Sequence, residues 1–75
     1  MNKERRKAIA RITQELDVLQ CEIDELKDEE QDYYDRMPES IQGSEKGTLA
    51  EAAIDTLESS SEAARDALDY LNDLI

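Results

Sequence analysis

The stretch YYDRMPESIQGSEKG, Tyr33 to Gly47, decides the fold, because the rest of this 75-residue chain reads as helix. Arg36 suits the exposed carbonyls at a helix end. Pro38 disfavours helical backbone at Met37 and brings no donor to the ladder. Gly43 can take the positive φ that a reversal often uses. Ser44 is a good N-cap, with Glu45 as an acid in the first turn of a new helix. Thr48 with Glu51 offers a second capping box four residues on, so the new helix has two candidate starts.

Outward from this joint, apolar residues keep heptad spacing. Before it the inward positions run Ile9, Ile12, Leu16, Leu19, Ile23, Leu26, Glu30, Tyr33 and Met37, in alternating steps of three and four. After it they run Ile54, Leu57, Ser61, Ala64, Leu68, Leu71 and Ile75, and extend back to Ala50 and Gly47. Ala53, Ala67 and Leu74 widen the second stripe to the width of a bundle helix. The spacing predicts a helix over about 3–36, a turn over about 37–44 and a helix over about 45–74, all in one domain, 1–75. Short connections favour antiparallel neighbours. The expected fold is therefore all-α: an antiparallel two-helix hairpin, coiled-coil-like.

Size sets the next expectation. Ordering costs on the order of 1.5 kcal/mol per residue, and small scaffolds barely offset it by burial. This chain has three Tyr, no Phe or Trp, no His and a single Cys, so it lacks large core residues and a disulfide framework. Association is the remaining route, and the hairpin is expected to complete a helical bundle by homo-oligomerisation, as a dimer or higher. The interface between helices or copies falls to Ile9, Ile12, Leu16, Leu19, Ile23, Leu26, Ile54, Leu57, Ala64, Leu68 and Leu71.

The net charge of −11 is unevenly placed. Residues 1–11 hold five cations against Glu4 alone, and everything after them is strongly acidic. Such a chain is repelled by nucleic acid and anionic lipid. Folding back sets the basic start beside Asp66, Asp69 and Asp73, while the acidic elbow receives no comparable relief. No apolar segment of signal-peptide form follows the basic start, and none approaches the roughly 18 apolar residues of a bilayer span. With a lone thiol, the expected compartment is the cytoplasm.

Nothing in the residue types points to catalysis, a metal or another cofactor. Proton transfer near neutral pH lacks a histidine. Cys21 falls among Glu22, Asp24 and Glu25 with no activating base. Carboxylate pairs such as Asp24 and Asp28 lack the converging oxygens of a cation site. Glu30, on an inward position, either specifies an interface or sits at the exposed elbow. Ser61 and Ala64 form a small-residue layer, read as close helix approach or as the floor of a groove between copies. Candidate partner or ligand contacts are Tyr33 and Tyr34, which bring area with little entropy loss. Ser44 and Lys46 at a helix start, and Arg5 and Arg6 in the basic start, are candidates for an anion.

The loop DEEQDYYDRMPESIQGSEKG, Asp28 to Gly47, with the alanine-rich acidic helix after it, resembles small phage and bacterial proteins of unknown function. That likeness implies a small helical protein and no known activity. Pro38, Glu39 and Ser40 with Glu45 and Lys46 more faintly resemble a turn in oligomeric helical phage proteins that sequester cyclic-nucleotide signals. This chain inserts Ile41 to Ser44 there and has Gly47 in place of a serine.

Three roles follow as expectations. The first is a non-enzymatic protein-interaction module, a self-associating hairpin that, if phage-encoded, inhibits a host protein or defence factor. The second is an acidic nucleic-acid mimic that blocks a DNA-binding protein. The third is an oligomer that sequesters a small ligand such as a nucleotide.

Overall fold

The computed structural model describes residues 1–74 and contains three helices: α1, Lys3–Asp35; α2, Glu39–Gln42; and α3, Glu45–Asn72. Ile75, the last seam position expected from the sequence, lies outside the described residues. α1 and α3 pack against each other along a rod of 58 × 14 × 13 Å, with α2 packed on α3 at the elbow. The molecule is a helical hairpin.

Local chemistry sets the ends. Asn2 caps α1, its Oδ1 accepting the Arg5 N–H at 2.8 Å. The sequence reading passed over this residue. At the elbow the Tyr34 carbonyl, free of the helix ladder, accepts from the Met37 N–H and the Gln42 amide, each at 3.1 Å. Pro38 precedes α2, and its carbonyl accepts from Ile41 at 2.8 Å and Gln42 at 2.9 Å. The reversal is thus made by a single helical turn, not by a left-handed glycine. Gly43 has φ −81°, and no described residue has positive φ.

α3 starts at one place. Ser44 occupies the N-cap with extended backbone, but its hydroxyl donates to the Ile41 carbonyl at 2.5 Å and makes no cap bond. Thr48 lies inside the helix, its hydroxyl donating to the Ser44 carbonyl at 3.1 Å, so the second capping box does not form. Gly47 is buried in the first turn of α3 against Gln42, where α2 presses on α3.

The α3 seam matches its heptad: Gly47, Ala50, Ile54, Leu57, Ser61, Ala64, Leu68 and Leu71 are all buried or half-buried. α1 differs. Ile9, Leu16, Ile23 and Glu30, with Met37 just beyond the helix, do face α3, but the alternate positions are Thr13, Gln20, Lys27 and Tyr34. Ile12, Leu19, Leu26 and Tyr33, expected to point inward, are exposed. The helix is turned by one heptad column, about 50°. α3 covers the Ile9 column of α1 together with the polar column beside it, and leaves the other apolar column open. The flank chosen is the one where polar groups of the two helices meet.

The charge layout also differs from expectation. Among the described residues the ion pairs are Arg11–Glu15 within α1 and Arg65–Asp24 between the helices, both at 3.1 Å. Neither joins the basic start to Asp66, Asp69 or Asp73. Such exposed pairs contribute little, and nothing obliges long side chains to hold them.

Candidate interaction surface

The two long flanks of the rod have opposite characters. On one, Gln20 and Ser61 lie in the helix contact, 6% and 4% exposed. The Gln20 amide donates to Ser61 Oγ at 3.0 Å and to Asp24 Oδ2 at 2.6 Å. Ser61 Oγ donates to Asp24 Oδ1 at 2.5 Å, and Arg65 Nη2 closes the cluster at 3.1 Å. No described buried side-chain polar atom lacks a partner. The Ser61 hydroxyl holds the Asp24 carboxyl below its ordinary pKa, with Gln20 and Arg65 adding and burial opposing. This cluster fixes the rotation of α1 on α3. It was missed from sequence, although Ser61 on an inward position signals a buried hydroxyl in need of a partner.

On the other flank the seam is open. Ile12, Leu19, Leu26 and Tyr33 stand seven residues apart on α1, and they are 42%, 52%, 52% and 44% exposed. Val18 borders this column and is exposed as well. On α3 the same side carries Lys46, Ala53, Ser60 and Ala67, again at intervals of seven. The Lys46 ammonium lies 5.7 Å from the Tyr33 ring centroid, a cation–π contact that ties the two columns at the elbow. The result is an apolar ridge on α1 beside a shelf of small residues on α3. An apolar column at heptad spacing is what a further helix packs against.

The remaining expected residues fall elsewhere. Ile9, Leu16 and Ile23 on α1, with Ile54, Leu57, Ala64, Leu68 and Leu71 on α3, line the contact between the helices. Tyr34, one residue from Tyr33, lies on the polar flank and donates to Glu51 at 2.5 Å. That hydrogen bond raises the Tyr34 pKa above its ordinary value, helped by burial and by the charges of Glu51 and Asp35. Ser44 and Lys46 do not converge: one is bonded to Ile41 and the other lies over Tyr33. Arg5 and Arg6 are exposed, and Arg6 lines a shallow recess with Lys3, Lys7, Ala10 and Leu74. Cys21 is exposed, and half-buried Glu30 lies in the helix contact. No helix among the described residues is long and apolar enough to cross a membrane.

Set against known proteins, no family model matches the chain, no curated protein matches it and no solved structure matches it. The functional reading rests on geometry.

Proposed function

We propose that the chain is a non-enzymatic protein-interaction module, a helical hairpin that self-associates through the column Ile12, Leu19, Leu26 and Tyr33. The column itself carries this reading. It has coiled-coil spacing, it is roughly half exposed, and the hairpin leaves it uncovered. The thinness of the rod supports the same view, since no side chain among the described residues is fully buried. A core this thin offsets little of the ordering cost. The further role, a phage-encoded inhibitor of a host protein or defence factor, rests only on the likeness of the Asp28–Gly47 loop to small phage and bacterial proteins.

The test is Leu19→Asp with Leu26→Asp. Neither side chain lies in the contact between α1 and α3, so the pair spares the hairpin seam. Sedimentation should give an oligomer for the natural sequence and a monomer for the variant, whose helix content should not change with concentration. A natural chain that sediments as a well-folded monomer at all concentrations would exclude self-association.

A further inference from the structure

The geometry points to an antiparallel dimer in which α1 lies along α1 of the partner subunit, with the two-fold axis between Glu22 and Ile23. This rests on the exposed column being the self-association face. It adds which helix covers the column, in which direction and at which register.

The column is evenly spaced and can match itself in reverse. With the axis between Glu22 and Ile23, Ile12 meets Tyr33 of the partner subunit and Leu19 meets Leu26 of the partner subunit. Even spacing alone would allow other registers. This one places the axis near the middle of the rod, midway between Lys3 and the end of α2 at Gln42, so the two rods overlap along almost their whole length.

Charge selects the direction. Between Lys27 and Lys46 there are seven acids against Lys27, Arg36 and Lys46, and neither described ion pair relieves them. The five cations of residues 1–11 sit at the other end of α1. The antiparallel arrangement lays that basic start along the partner's elbow. Its competitor places both elbows at the same end, with each column over Ala53, Ser60 and Ala67 of the other copy. That arrangement packs large residues on small ones, but it brings two acidic elbows side by side. The antiparallel register also sets Glu15 beside Glu29 of the partner subunit and Glu22 beside its own equivalent, an exposed and solvated flank of like charge. At each end it lays the five cations of one basic start along an acidic elbow, a complementarity that the competitor has at neither end.

Glu15, Glu22 and Glu29 are exposed on α1 and border the column, each three residues beyond an apolar member. In a Cys21→Ser background, each is replaced singly by cysteine and the protein is mildly oxidised. At the axis, Glu22→Cys faces its own copy within about one residue of rise and should link to itself. Glu15→Cys lies some 15 residues of helix from its equivalent, about 22 Å, too far for a disulfide. Glu15→Cys and Glu29→Cys should therefore link only when mixed, because each faces the other. A dimer by sedimentation with no linkage at Glu22→Cys, or with self-linkage of Glu15→Cys and Glu29→Cys, overturns this arrangement while leaving self-association intact. A monomer by sedimentation removes both.

Discussion

A β-carbon built on Gly47 falls within 2.6 Å of the Gln42 Cα and closer still to its carbonyl, and both neighbours are backbone. The elbow closes because nothing protrudes there. Gly43, four residues earlier, is glycine without any such need. Its φ is ordinary, and the nearest atom to an added Cβ is the Glu39 carbonyl oxygen at 3.8 Å. The two alanine substitutions should therefore differ in sign. Gly47→Ala forces α2 away from α3 and should cost about 1–3 kcal/mol, at the upper end because backbone must move. Gly43→Ala should stabilise by about 0.4–1 kcal/mol by narrowing the unfolded ensemble. Thermal melts of the two variants beside the parent decide this. The sequence points to Gly43 as the residue that turns the chain, and places Gly47 on the seam of the second helix, between its two candidate starts. Composition cannot tell a glycine needed for conformation from one needed for space.

The contact between α1 and α3 turns on Gln20, Asp24, Ser61 and Arg65. Ser61→Ala leaves the buried Gln20 amide a partner short and should cost about 1–3 kcal/mol, whereas Gln20→Leu with Ser61→Ala should recover much of that loss. A double-mutant cycle by urea denaturation reads the coupling, and additive single effects would show that the two side chains do not act together. Asp24 also sets an acid limit. Its folded pKa is depressed, so its contribution is present above the ordinary aspartate value, about 4, and is lost as pH falls through the lower folded value. The urea midpoint of the parent should fall across that window more steeply than that of Asp24→Asn. Tyr34 acts in the opposite sense. Its raised pKa favours the neutral form in the fold, so its contribution is complete below about pH 10 and fades above it.

For the molecule as a whole, a rod of 58 × 14 × 13 Å leaves an apolar column uncovered, and the proposed self-association would bind its stability to its concentration. If folding and association are linked, diluting the protein lowers its melting temperature, because the dissociated state gains by mass action. The parent should melt measurably lower after a hundredfold dilution, and the Leu19→Asp, Leu26→Asp protein should melt at one temperature throughout. A concentration-independent melt of the parent would mean that the thin core suffices on its own. The net charge of −11 opposes association with nucleic acid and between copies, so salt should strengthen the proposed pairing.

The sequence by itself determined the two long helices, the break between them, the heptad columns and the separation of charge along α1. All of these are local: a 3.6-residue period, a proline, a cap and a run of like charges need no knowledge of what lies opposite. Tertiary structure decided which flank of α1 faces α3, and hence which apolar column is left open. That choice depends on Gln20 and Ser61, 41 residues apart in the chain, and on Asp24 reaching Arg65 over the same separation. It also decided that the elbow turns through α2. The apolar columns of α1 are visible in the residues, but which of them is covered is settled only when a partner helix arrives and buried polar groups must be satisfied.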